Sequence, residues 1–488
     1  MAASIEKETK SKVFDPRAWG LPRAEIKKLG QRLYEFWERY AECFETTTRD
    51  TSHYALDFLS GLLRMTIERN FSNIGRTAGQ SPQNVQHFMT NSPWSAEEVL
   101  VQIREEVAET KAFAKGSALI LDESADEKAS GKTAGAGRQH NGRLGKIEMS
   151  QVGTFLAYAN DGLWMWIDGE LFLPQHWFTR AMAKERKRLC IPPDRKFATK
   201  IELGWQMIER VRGEGLPFEV VCCDTLYGRS YWLRRKMSGA GLVYYADVPV
   251  DTKVYLERPV VGLPPNKKGR HFRKPRVLSK EPPVEVGQIA TGSETKWTRI
   301  KVRATERGYL NDEFSARRVW TTQNGEEPVE EWLVMRRDAE GKIHYALSNE
   351  CADAELERLA WGKCQRVFIE CANRDAKSES GWDELRAQKF PAWEHELALV
   401  CLATWFMAQT KLDWRERSPR DPELARELGV EELPELSMAN IRELLRAAMP
   451  LPQLSVESAT DLVVEHLVNR ARSRKSRLKS LGYKHSLP

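Results

Sequence analysis

Cysteine is scarce: eight in 488 residues, with no Cys-x-x-Cys pair and with Cys222 beside Cys223. That pattern excludes a disulfide framework and a paired-cysteine zinc site, so the thiols are expected to be reduced and mostly buried. Long apolar runs are missing too; none approaches the roughly 20 residues of a membrane-spanning helix. The first residues, Met1-Ala2-Ala3-Ser4-Ile5-Glu6-Lys7, lack the apolar stretch of a signal peptide. A cytoplasmic protein with no membrane partner is expected. Net charge of either sign is small, +6 on a chain with 30% charged residues, and so says little.

What is present is a globular composition, 41% hydrophobic, on a length that implies two to four domains. The cations are unevenly placed. Lys267, Lys268, Arg270, Arg273, Lys274, Arg276 and Lys280 occupy a stretch without an acid, and so do Arg470, Arg472, Arg474, Lys475, Arg477, Lys479 and Lys484. Each reads either as a solvated loop or tail, or as a contact for a polyanion.

Along the chain, residues 24–107 carry apolar positions at helical spacing, for example Leu29, Leu33, Phe36 and Trp37. Within them, Ser81-Pro82 after Gly79 starts a helix whose Gln83, Asn84, Gln86 and His87 are residues able to read base edges. This is either a helix-turn-helix or an ordinary helical hairpin. Residues 117–250 alternate strands and helices. Ser117–Leu121 is a strand ending at Asp122, Phe218–Cys223 a strand ending at Asp224, and Asn160-Asp161-Gly162 a hairpin turn. Residues 250–350 read as mostly β, helices resume at Ala354, and Leu397–Met407 is a core helix.

The stretch Gln365–Lys377 reads as a helix. Arg366 and Glu370 share a face at i,i+4, and Lys377 returns to it two turns on. Alone, it has the look of a salt-bridged surface helix. Beside Asp122 and Asp224, which stand at strand ends where α/β sheets gather functional groups, Glu370 completes a set of three carboxylates. Three acids in one place need cations, and hard divalent ions with oxygen ligands meet that need.

The residues also resemble a family. Leu119–Glu123, Gly137–Ile147 and Gln151-Val152-Gly153 resemble the first catalytic block of bacterial insertion-sequence DDE transposases, and Val221–Gly228 resembles the second. Gln365–Lys377 resembles the third, in its hairpin-forming version, Y-x2-R-x3-E-x6-K. Arg, Glu and Lys fall on Arg366, Glu370 and Lys377; the Tyr position holds Lys363. The first block departs as well, with Glu123 where a second Asp is common.

The resemblance implies an α/β fold: an RNase H-like catalytic domain interrupted by a β-rich insertion, with a helical N-terminal DNA-binding domain and a helical C-terminal region. The corresponding divisions are 1–110 for inverted-repeat recognition, 111–250 and 351–410 for the catalytic domain, 251–350 for the insertion, and 411–488 for the helical end with its basic tail. It implies Asp122, Asp224 and Glu370 as catalytic ligands of two Mg2+ ions, with Mn2+ able to substitute. Arg366 and Lys377 would grip terminal phosphates. Arg138 and Lys146 would contact DNA or else fix a β-hairpin. Trp297 or Trp320 would stack on a flipped base; with 16 tryptophans in the chain, a core role competes for each. His395, in Trp393-Glu394-His395-Glu396, reads as structural. The implied partners are double-stranded DNA with terminal inverted repeats, target DNA and a second copy of the chain, on a bacterial nucleoid. The implied activity is cut-and-paste cleavage and strand transfer through a DNA hairpin. A catalytically silent, domesticated transposase acting as a DNA-binding or targeting factor is the alternative. An RNase H-like nuclease of another substrate fits the insertion and the helical N-terminus less well.

Overall fold

The computed structural model describes residues 13–480, apart from 67, 130, 143, 161, 266–273, 306, 307, 324 and 454. Lys267, Lys268, Arg270 and Arg273 of the first basic stretch, Asp161 of the hairpin turn and Lys484 of the tail lie outside the described residues.

The molecule is organised by one mixed ten-stranded sheet. Its first strands are β1 (Ser117–Glu127), β2 (Gly137–Asn141), β3 (Lys146–Asn160), β4 (Leu163–Leu171), β5 (Val220–Cys223) and β6 (Val243–Val248). Then come β7 (Thr298–Thr305), β8 (Gly308–Thr321), β9 (Val329–Arg337) and β10 (Ile343–Ser348). The order is β7-β8-β9-β10-β6-β5-β1-β3-β2, with β4 also on β3. Strands β1, β5 and β6 run parallel, and the remaining pairings are antiparallel. The central parallel strand β5, Val220–Cys223, is short, wholly apolar and buried throughout. This mixed α/β architecture is consistent with an RNase H-like DDE domain. The β-rich segment does not hang from the sheet. Its last strand, β10, pairs with β6, so the segment lengthens the same sheet.

Helices cover the sheet. The N-terminal ones are α1 (Leu29–Glu38), α2 (Ser52–Arg64), α3 (Phe71–Ala78), α4 (Pro82–Thr90) and α5 (Ala96–Glu109). Later come α6 (Lys200–Gly213), α7 (Tyr231–Gly239), α8 (Leu356–Cys364), α9 (Val367–Ser378), α10 (Phe390–Arg417) and α11 (Met438–Ala448). Helix α10 is buried on all sides along its middle, from Leu397 to Ala408. That explains its all-round apolarity. It is shared with the N-terminal helices: Phe36 meets Phe406 edge-on at 5.3 Å, and Arg32 pairs with Asp413 at 2.7 Å. His395 is 4% exposed, lies between the carbonyls of Met89 and Trp94 at 2.9 and 3.0 Å, and stacks on the Trp94 ring.

Residues up to Ala448 form one compact unit and those from Met449 a second. The second contains α12 (Val456–Ser480), whose Val463, Val464 and Leu467 are exposed. No helix among the described residues is long and apolar enough to cross a membrane. The eight thiols are free; Cys222, Cys223, Cys364 and Cys401 are fully buried, and Cys190 and Cys351 are exposed, so burial is less general than expected.

Candidate active site

Three apolar strand segments end in register. Leu121 is level with Cys223, and Cys223 with Ala246. The next residue in each case is an aspartate: Asp122, where β1 runs on to Glu127 instead of ending as expected, Asp224 just past β5, and Asp247 within β6. Parallel strands lie about 4.8 Å apart, so the backbone alone sets the three acids in a row.

Asp122 and Asp224 come together with Glu123. One carboxylate oxygen from each lies within 4.8 Å of the others. Asp224 caps the short helix Thr225–Gly228, accepting from the Leu226 and Tyr227 amides at 3.0 and 3.3 Å. Glu123 receives Lys200 of α6 at 3.1 Å on one oxygen, while its other oxygen is buried with no hydrogen-bond partner among the described residues. Burial, and then the neighbouring Asp224, push Asp122 up to about 7. Burial, and then Glu123, push Asp224 up to about 6. The charged forms are held at a cost, and an all-carboxylate donor set with one orphaned oxygen fits a hard divalent cation.

Arg366 closes the other side. Its guanidinium lies 2.7 Å from Glu370, 3.1 Å from Asp247 and 3.9 Å from Asp122. Burial works against its charge, but Asp247, Glu370 and Asp122 more than offset this and raise its pKa. Glu370 is thus one guanidinium away from Asp122, with its side chain 57% exposed, and stands outside the three-carboxylate group. Lys377, further along α9, lies 3.8 Å from Asp126 of β1.

The remaining candidates have partners outside the carboxylate group. Arg138 and Lys146 belong to a β-hairpin, where Arg138 is level with Met149 and Lys146 with Asn141, rather than to a loop. Met149 and Phe155, the partner of Asp122, are about 20 Å apart along β3 at the usual strand rise. Trp297 packs against the cluster of Val248, Leu333 and Leu347, with Arg337 over its ring at 4.0 Å. Trp320 bonds through its backbone to Tyr255 and has Arg258 over its ring.

Two participants had been passed over in the sequence. Glu123 was noted only as a departure. Asp247 follows a third apolar strand just as Asp122 and Asp224 follow theirs, and that repeat was a usable signal.

A search among known proteins finds a relative named "Probable transposase for insertion sequence element IS701", from Microchaete diplosiphon. It is 27% identical over 199 residues, which is 40% of this chain and 49% of the relative, so the match spans about half of that protein's length. Residues 39–309, more than half of the chain, match the family described as DDE superfamily endonuclease, a span that includes Asp122 and Asp224 and ends before Glu370. The chain belongs to the DDE superfamily of endonucleases.

Proposed function

We propose that the protein is a DNA transposase that binds the terminal inverted repeats of an insertion element, cuts the DNA there and joins the ends to a target. The carrying observation is the placement of Asp122 and Asp224 on adjacent parallel strands, with Glu123 grouped with them and Arg366 bridging to Glu370. Asp122, Asp224 and Glu370 are the catalytic carboxylates of this reading, with Glu123 adding an oxygen donor. These residues would hold Mg2+. Such ions supply activation of water and stabilisation of the leaving oxygen in phosphodiester cleavage.

The chain's own groups do the rest. Arg366 turns one terminal nitrogen to Glu370 and the other toward Asp122, where a phosphate oxygen is the natural acceptor for a planar fork. Lys377 offers a second cation on the same helix, in the role of a terminal-phosphate grip. Lys200 holds Glu123 through an ion pair at 3.1 Å. A second copy of the chain completes the assembly on paired ends. The hairpin route rests on the Arg366, Glu370 and Lys377 spacing alone.

The second reading, a silent DNA-binding or targeting factor, draws on one observation: Glu370 is already engaged by Arg366. One experiment separates the two. DNA carrying the element's ends is incubated with Mg2+ and wild-type, Asp122→Asn or Glu370→Gln protein, and products are resolved on a denaturing gel that distinguishes hairpin from open ends. Cleavage by wild type and loss in both variants supports the transposase; equal cleavage by all three would sink the site. End binding without cleavage by wild type favours the silent factor.

A further inference from the structure

Asp247 is the third aspartate of the row, yet it does not join the carboxylate group. It faces two cations instead. Its Oδ1 accepts from Lys363 Nζ at 2.7 Å, and its Oδ2 lies 3.1 Å from Arg366 Nε. Both cations come from the short stretch where α8 gives way to α9. Gly362 lets that stretch lie directly on β6, because a Cβ there would meet the Tyr245 ring at 2.1 Å. On the other side, Gly228 lets the turn that follows Asp224 close onto Asp247, whose carbonyl oxygen would be 1.9 Å from an added Cβ. The backbone of Asp247 is therefore fixed from two directions.

Lys363 has a side chain only 4% exposed. A buried ammonium needs an opposite charge, and Asp247 provides it. Lys363 also occupies the position where the resembled motif has Tyr. Its contact with Asp247 gives that departure a physical meaning, an ion pair beneath the site.

The charges sort simply. Asp247 carries one negative charge against two positive ones, so the trio keeps one positive charge, and that charge faces the carboxylates. Arg366 is a rigid planar fork, and holding its Nε edge sets the direction of its other two nitrogens. Those reach Glu370 at 2.7 Å and Asp122 at 3.9 Å.

The geometry points to Asp247 as a positioning residue of the nuclease site: the Lys363–Asp247–Arg366 triad aims the Arg366 fork at the place where a DNA phosphate meets Asp122 and Glu370. Asp247 itself touches no DNA, and the role rests on the endonuclease reading of Asp122 and Asp224.

The test uses the full chain and DNA carrying the element's ends, reading end affinity, single-turnover cleavage and thermal midpoint. Asp247→Asn is expected to cleave roughly tenfold to a hundredfold more slowly, the cost of a misaimed group, while binding ends with little change. Asp247→Glu recovers part of the rate. Asp247→Asn leaves Lys363 buried without its partner, so the double variant Asp247→Asn/Lys363→Met is measured too. It removes both buried charges and is expected to keep a midpoint within about 2 °C of wild type, yet remain slow. Wild-type cleavage by Asp247→Asn, or recovery of full rate in the double variant, would overturn the role. An Asp122→Asn control that cuts normally instead removes the endonuclease reading itself, whatever Asp247 does.

Discussion

Arg69 donates from a terminal nitrogen to the main-chain carbonyl of Ser378 at 2.8 Å. Ser378 is the last residue of α9, the helix that carries Glu370 and Lys377. Arg69 also donates to the Glu379 carbonyl at 2.8 Å, and Arg442 of α11 reaches Ser378 and Glu379 at 2.9 and 2.6 Å. The last carbonyls of a helix lack partners within it, and two cations here supply them at its negative end. The helix bearing a proposed catalytic acid is thus gripped from the connection between α2 and α3 and from α11 together.

Arg69→Met is therefore expected to destabilise the protein by about 3 kcal/mol, since it strips buried carbonyls and Glu384 of their partner. Chemical denaturation measures it. A change within experimental scatter would show that solvent replaces the arginine.

The metal response should depend on pH. With Asp122 near 7 and Asp224 near 6, both folded-state values stand above the ordinary carboxylate. The folded form therefore binds more protons than the unfolded chain between about pH 4 and 7, and the stability this brings is lost as pH rises through that window. A divalent cation offsets the loss only once the acids ionise. Mg2+ should raise the thermal midpoint at pH 8 and leave it unchanged at pH 5. An equal rise at both would place the ion elsewhere.

His395 has the opposite sign. Burial pulls it down to about 4, against the Met89 and Trp94 carbonyls. The neutral ring is the folded form, so its contribution is complete above about pH 6.5 and is lost as pH falls from there toward 4. Wild type should lose up to about 3 kcal/mol more than His395→Phe over that range. Urea unfolding at several pH values measures the difference; parallel curves would exclude a neutral buried ring.

Gly228→Ala should disturb the site without touching a charge. The added methyl runs into the Asp247 carbonyl, which is backbone and cannot swing aside. A loss of roughly 2 kcal/mol is expected, with slower cleavage. Normal stability and rate would mean that the turn relaxes freely.

The legible parts were those set by local pattern. The apolar runs before Asp122 and Asp224 gave the positions of β1 and β5, though β1 runs on to Glu127, and the antiparallel pairing of β3 with β4 was legible because strand chemistry is short-range. The i,i+4 pairing of Arg366 and Glu370 was equally local, and the two side chains do meet at 2.7 Å. What escaped was non-local. That Gly137–Asn141 is a strand depends on its pairing with β3. That Lys363 meets Asp247 depends on α8 lying across β6, which Gly362 permits and no periodicity reveals. The grouping of Glu123 with Asp122, adjacent in a strand and nominally on opposite faces, was equally hidden, because strand alternation would have set the two apart.

The pairing of β10 with β6 carries a consequence for synthesis. Until Ile343–Ser348 emerges from the ribosome, β6 offers a bare row of amides and carbonyls. At roughly 5–20 residues per second, the intervening segment takes several seconds to appear. During that interval the nascent chain has a template edge open to other chains, and a truncation placed before Ile343 would leave it open permanently. Cells making such a fragment are expected to accumulate it as aggregate.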